Sequence, residues 1–336
     1  MQPFLCQYLF IMLPYTQIAE IIDAEINQID FNFSPRELFD PIKYILALGG
    51  KRIRPALTLI ACNIYDDNIV KAVKPALGME VFHNFTLLHD DLMDQSDMRR
   101  RQPTVHKKWN NNTAILSGDA MLIAAYQLIG ETCEPYLTKI LPLFSQTALE
   151  ICCGQQYDMM FEKRATVSED EYIEMIRLKT AVLIACCLKT GAILGGAPDE
   201  DADHLYQFGI HTGLAFQLQD DMLDVYGNAE TFGKNIGGDI LCNKKTFLLI
   251  NALNLADKKQ KTVMDFYLNP SNSFAPEEKI QTCTEIFTQL NIKHITEQRI
   301  NYLYALAMEE LTKLSTNPAS LIELIKFCNQ LMQREC

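Results

Sequence analysis

The chain is expected to be all-α, a single large helical bundle around a central cavity. Three observations predict this. Strand signals are scarce, apolar residues recur at three- and four-residue spacing through most of the chain, and several runs carry helix start or stop signals. The periodic runs, in order, are 18–29, 38–48, 70–92, 114–129, 140–160, 171–194 and 205–226. Before the second run, Ser34-Pro35-Arg36-Glu37 reads as an N-cap, a first-turn proline and a capping-box Glu. Ser168 and Glu171 repeat the box, and Gly49-Gly50 and Gly195-Gly196 read as helix ends. Stretches 110–112, 197–203 and 269–278 read as loops.

The chain has 336 residues, 48% hydrophobic and 21% charged, an ordinary globular composition with length for a large core. No linker or internal repeat divides it, so 1–336 is read as one domain, with 1–15 as a non-native or disordered extension. That start is apolar but has no basic residue before Arg36 and is too short to span a bilayer. No transmembrane segment is expected, and a cytoplasmic location is. Eleven cysteines, an odd number without a CxxC, read as buried free thiols, including Cys152–Cys153 and Cys186–Cys187. A net charge of -12 argues against nucleic acid as a partner. An anionic substrate would have to be captured by local cations.

Two acidic clusters need a common cause. "HDDLMD" places Asp90, Asp91 and Asp94 at the end of one apolar helix, and "DDMLD" places Asp220, Asp221 and Asp224 on another. Asp is a poor interior helix residue, and like charges one turn apart repel. Helices apolar on most sides are buried on most sides, so such carboxylates should face a cavity. Asp90 and Asp94 share a helix face, as do Asp220 and Asp224, and hard oxygen ligands so arranged suit magnesium shared with substrate phosphates. Asp91 and Asp221 point about 100° away and read as orienting groups. Cations to grip an anion stand in "GGKRIRP" (Lys51, Arg52, Arg54), "MRRR" (98–101), "LKT" (178–180) and the glycine-bearing loop with Lys234 and Lys244. Lys179 interrupts an apolar run and so needs a partner.

These blocks, "LLHDDLMDQSDMRR", "FQLQDDMLD" and "GGKRIRP", resemble the trans-polyprenyl diphosphate synthases. The likeness extends through "EVFH", "LSGDAML", "GQQYD" and "KT". It implies an isoprenoid-synthase-like bundle in which the two clusters face each other across a catalytic cavity. The implied reaction is condensation of isopentenyl diphosphate with dimethylallyl, geranyl or farnesyl diphosphate. Several magnesium ions per site are implied, with manganese as a substitute, and a homodimer. Asp90, Asp94 and Asp220 match metal ligands, with Asp224 supporting. Arg99, Lys179 and Lys234 match the allylic diphosphate site, and Lys244 a further cation that closes over it. Lys51, Arg54, His83 and Arg100 match the isopentenyl diphosphate site. Thr180 and Gln217 match oxygens near the developing carbocation, while His89 and His106 read as structural. Phe85 and Thr86 match the floor that sets chain length. One aromatic there without an insertion in the first cluster resembles short-chain enzymes reaching twenty carbons, with farnesyl diphosphate as the alternative product.

The sequence departs from the family at Arg101, where glycine is usual, at Asn235, where proline is common, and at Asn243, where glycine is common. Rival readings are a di-iron bundle, which needs a second ExxH beside Glu80-x-x-His83, a terpene cyclase of the same fold, and a non-catalytic partner subunit.

Overall fold

A computed structural model of the chain describes residues 12–227 and 236–332. These residues are almost wholly helical. The chain folds into two compact units, each described by itself. The first comprises Met1–Leu143, Cys187–Leu205 and Lys313–Phe327; the second comprises Phe144–Cys186, Tyr206–Thr312 and Cys328–Cys336.

In the first unit, helices α1 (Tyr15–Ile26), α2 (Arg36–Ala47), α3 (Ile53–Asn63) and α4 (Val70–Met93) precede a short antiparallel hairpin, Met98–Arg99 with Gln102–Pro103. Helices α5 (Val105–Lys108) and α6 (Asn111–Gly130) follow. Helix α4 is the centre: it packs on α1, α2, α3 and α6, and its buried residues lie on every side. That encirclement explains its weak amphipathicity. The carboxylates at its C-terminal end therefore sit where the core stops.

Helices α7 (Leu137–Glu162), α9 (Val182–Gly195) and α10 (Asp199–Tyr226) contribute residues to both units. The second unit also holds α8 (Glu169–Ile176), α11 (Gly238–Leu241), α12 (Phe247–Leu255), α13 (Lys258–Leu268), α14 (Pro276–Gln289) and α15 (Ile292–Thr312). Helix α16 (Ile322–Met332) closes the described chain. Helix α12 packs on α8, α14 and α15, and Leu248, Leu249, Met264, Ile286 and Phe287 form the core there. Between α8 and α9, Arg177–Ala181 form a π-helical turn, an irregularity frequent at functional sites.

Several expectations need correction. The Ser34 box does not form: Pro35 is the N-cap of α2, in extended conformation, and no side chain caps the helix. The Ser168–Glu171 box forms as expected. Stretch 110–112 is the N-cap and first turn of α6, and 199–203 is the first turn of α10. Asp and Asn favour such positions, which makes helix starts read as loops. Cys152 and Cys153 are exposed, whereas Cys186 and Cys187 are buried; α7 presents its two thiols outward. Of the 1–15 extension, 1–11 lie outside the described residues. Leu13 N–H donates to Asn63 Oδ1 at 2.7 Å, and the Tyr15 hydroxyl donates to the Lys51 carbonyl at 2.9 Å. Two helices, Asn111–Gly130 and Glu169–Gly195, are long and apolar enough to cross a bilayer by composition alone. The second is 83% buried inside the protein over its apolar window, as a core helix is. Neither shows a transmembrane segment.

Candidate active site

In the first unit, the end of α4 and the hairpin build one arrangement. Asp91 is buried, and its two carboxylate oxygens accept from Arg99 Nε and Nη2, each at 2.7 Å. The expected orienting role is thereby given a partner: Asp91 fixes the guanidinium of Arg99. Asp90 is partly exposed and Asp94 exposed, with Asp94 as the C-cap of α4. The hairpin turn is Arg100-Arg101, and both residues have positive φ, 51° and 62°. Two positive-φ residues are what a tight type I′ hairpin needs, and Gly or Asn usually supplies them. Arg101 in place of the usual glycine therefore keeps the loop's shape at a backbone cost.

Arg100 then lies over the Gly49-Gly50 turn. Gly50 has φ 137°, a conformation that favours glycine, and a Cβ there would also meet the Arg100 guanidinium at 2.6–2.9 Å. Arg54 and Arg100 also bear on His83. The imidazole is held well below the usual histidine range, first by burial and then by the charges of Arg54, Arg100, Arg99 and Arg52. His83 is thus neutral, with guanidinium groups around it. Arg100 has its own pKa lowered by burial and by the neighbouring Arg52, Arg99 and Arg54 charges. Four cations this close need an anion. Arg52 has one within the protein: its Nη1 donates to Glu80 Oε1 at 2.8 Å and its Nη2 to the Leu46 carbonyl at 2.9 Å, both buried. Glu80 is therefore an arginine partner. Arg54 and Arg100 share the surroundings of His83, and Lys51 is exposed beside the Gly49-Gly50 turn.

In the second unit, Lys179 sits in the π-helical turn and donates to Asp158 Oδ2 at 2.7 Å. Its need for a partner is met by the last residue of "GQQYD". A Cβ on Gly154 would lie 2.4 Å from the Lys179 backbone nitrogen, so this glycine lets α7 approach the wide turn. Thr180 Oγ1 donates to Gln217 Oε1 at 3.0 Å, and Gln217 Nε2 donates to Asp221 Oδ1 at 3.0 Å. The buried Tyr172 hydroxyl donates to the other oxygen of Asp221. The chain of donors fixes Gln217's amide, its oxygen toward Thr180. Thr180 commits its proton to Gln217, so its own lone pairs stay available to a cation.

Asp221 is pushed up to about 7, first by burial and then by the charge of Asp239, against the pull of Tyr172, Lys244 and Gln217. Asp224 is buried and accepts the Asp239 N–H at 3.0 Å, while Asp220 is partly buried. Lys244 N–H donates to the Asp239 carbonyl at 2.9 Å. Lys234 and Asn235 lie outside the described residues. Asn243, preceding Lys244, has φ 56°, the conformation its usual glycine would take.

The sequence reading missed Tyr172, Asp158 and Asp239. Asp158 and Asp239 were signalled by "GQQYD" and the Gly237-Gly238 turn; Tyr172 had no signal beyond apolar periodicity. Phe85 and Thr86 are half-buried on α4. The Phe85 ring lies against Phe82 and His89, with centroids 5.5 and 4.8 Å away. Among the described residues, no three His, Cys, Asp or Glu side chains converge as a preformed metal cage. The aspartates still fit magnesium, which keeps waters and takes one or two carboxylates plus substrate phosphates.

The polyprenyl synthetase family model matches residues 35–287. The chain belongs to the polyprenyl synthetase family. It is similar to the geranylgeranyl diphosphate synthase of Methanosarcina mazei, with 42% identity over 69% of this chain and 72% of that one. It is similar to the geranylgeranyl diphosphate synthase of Saccharolobus solfataricus, with 32% identity over 95% and 96%. A crystal structure of a geranylgeranyl pyrophosphate synthase matches at TM-score 0.91 and 42% identity, covering 97% of this chain and all of that one. Another, from Corynebacterium glutamicum and complexed with isoprenyl diphosphate and magnesium, matches at TM-score 0.83 and 26% identity over 96% and 97%. This polyprenyl synthetase is a prenyltransferase of isoprenoid synthesis, and the cyclase, di-iron and non-catalytic readings are not favoured.

Proposed function

We propose that this polyprenyl synthetase condenses isopentenyl diphosphate with an allylic diphosphate and makes geranylgeranyl diphosphate. The observation that carries the reading is the group of guanidinium side chains around neutral His83, beside an aspartate cluster at the end of α4. An anion site next to a metal-type donor set is what a diphosphate requires. The names of the relatives support the product. The family match runs through residues of both units, which supports one catalytic domain.

In the reaction, the allylic carbon–oxygen bond breaks and the diphosphate leaves with the electron pair. The double bond of isopentenyl diphosphate forms the new carbon–carbon bond, and a proton is lost to the released diphosphate. Asp90, Asp94 and Asp220 would hold magnesium, supported by Asp224, and the metal when bound supplies Lewis-acid stabilisation of the leaving group. Arg99, Lys179, Lys234 and Lys244 bind the allylic diphosphate. Lys51, Arg54, His83 and Arg100 bind isopentenyl diphosphate. Thr180 and Gln217 direct oxygen lone pairs at the developing cation. Preorganised charges of this kind stabilise the transition state without reorganising.

The protein is proposed to be cytoplasmic and a homodimer. Ile115, Leu116 and Ile123 are 43%, 59% and 60% exposed on α6, an apolar stripe that supports self-association. A monomer by light scattering at micromolar concentration would contradict it.

Radiolabelled isopentenyl diphosphate, offered with each allylic starter in magnesium, tests the reading. Labelled twenty-carbon product is expected, dependent on divalent cation, with manganese able to replace magnesium. Asp90→Ala and Asp220→Ala should each cut turnover by orders of magnitude with the helical content unchanged. Full activity in excess chelator would sink the metal assignment, and turnover of farnesyl diphosphate alone would point to cyclisation.

A further inference from the structure

Lys279 is a buried lysine that the reaction does not use. It is 1% exposed, in the first turn of α14. Its Nζ donates to the Leu241 carbonyl at 3.0 Å and to Asn243 Oδ1 at 2.5 Å. The ammonium also lies 5.4 Å from the centroid of the Phe274 ring. Burial lowers its pKa, a cost that its acceptors and the ring offset. Both acceptors are on the short segment that ends α11 and leads into Lys244. Asn243 is the residue of that segment with positive φ, and its Nδ2 donates to the Leu268 carbonyl at 3.1 Å. Asn243 thus has both ends of its amide held, one by Lys279 and one by α13. Lys244 follows immediately, and its backbone N–H is tied to the Asp239 carbonyl.

We propose that Lys279 is a positioning residue for Lys244, acting through Asn243. Where a glycine would reach this backbone conformation unaided, the chain uses an asparagine and anchors its side chain with a buried cation. The direction of the Lys244 side chain is then set by a lysine on another helix. The inference rests on the reading of Lys244 as a cation for the allylic diphosphate.

The test uses the full-length protein with Lys279→Met, Asn243→Gly, their double variant and Lys244→Ala. Apparent KM is measured for the allylic diphosphate and isopentenyl diphosphate separately, with thermal unfolding alongside. Lys279→Met should raise the allylic KM roughly tenfold, the loss of one charge-assisted contact, and leave the isopentenyl KM within about twofold. In the Asn243→Gly background, where the acceptor is gone, the same change should raise it less than about threefold. A rise equal for both substrates, a loss confined to the unfolding temperature, or the same factor in both backgrounds would overturn the proposal. Should Lys279→Met not fold, Asn243→Ala keeps the lysine and removes its acceptor, and an unchanged allylic KM there overturns it equally. If Lys244→Ala raises the allylic KM and Lys279→Met does not, the positioning role alone fails. If Lys244→Ala leaves that KM unchanged, the role of Lys244 fails and the positioning role with it.

Discussion

Asp91 and Arg99 face each other side on, with both carboxylate oxygens accepting from one guanidinium at 2.7 Å. The pair ties the end of α4 to the hairpin that carries Arg100. Asp91→Ala should therefore cost stability, by about 3 kcal/mol, the low end for breaking a buried pair because Arg99 keeps some solvent. It should also raise the allylic KM, since Arg99 loses its fixed orientation. Urea unfolding and steady-state kinetics check the two effects, and a variant as stable as the parent would mean that the pair is idle.

At Arg101 the backbone rather than the side chain is at issue. A non-glycine residue at φ 62° costs roughly 1–2 kcal/mol, and a glycine gives back about 0.4–1 kcal/mol through the freer unfolded chain. Arg101→Gly should stabilise the protein by about 0.5–1 kcal/mol, the difference of the two effects. A lower midpoint in denaturant would show that the Arg101 side chain makes contacts worth more than its strain.

The Asp221 carboxyl predicts a pH dependence. Its folded value of about 7 lies above the value of about 4 for an unfolded chain. The folded state holds this proton more tightly, so the group's stabilising contribution is fully present below about pH 4 and is lost as pH rises through about 7. Its full amplitude is at most about 4 kcal/mol. Metal-free protein should lose unfolding temperature between about pH 4 and pH 7, and Asp221→Asn should flatten that slope. An identical slope in the variant would assign the dependence to other groups.

Separate anion sites predict separate losses. Arg54→Ala should weaken isopentenyl diphosphate, and Lys179→Ala the allylic substrate, each by about 1.5–3 kcal/mol. Lys179→Ala also strands Asp158, so Lys179→Met with Asp158→Asn serves as the control. Similar losses for both substrates in both variants would argue for a shared site.

Chain length should follow the floor on α4. Phe85→Ala should lengthen the main product beyond twenty carbons, and Thr86→Phe should shorten it toward fifteen. Chromatography of the dephosphorylated products decides, and unchanged lengths in both variants would place the floor elsewhere.

Much of this was legible in the sequence for identifiable reasons. The helix carrying Asp90 and the helix carrying Asp220 were visible because clustered carboxylates on a long apolar run need a cavity to face. Lys179 announced a partner because a lysine cannot stay unpaired in an apolar helix. Helix α3 was not legible: it is buried on nearly every side, so no periodicity marks it. The hairpin was missed because its strands have two residues each, too short for alternation, and its turn uses two arginines. Ser34 misled because a proline in the extended region had already taken the cap position. No residue type encodes a π-helical turn, so 177–181 read as ordinary helix.

That turn has a consequence for how the site is inherited. Tyr172 and Thr180 are eight residues apart, which in a regular helix leaves them about 80° out of phase. The extra residue of a π turn takes out about one residue's rotation, close to 100°, and brings them to one side. There they reach Asp221 and Gln217, one turn apart on α10. The turn thus lets eight residues span the angle that seven span in a regular helix, and regularising the helix at its present length would swing Thr180 about 100° from Gln217. Part of the site's information is therefore a length, and a relative with one residue fewer between Tyr172 and Thr180 would need a regular helix here to hold the same phase.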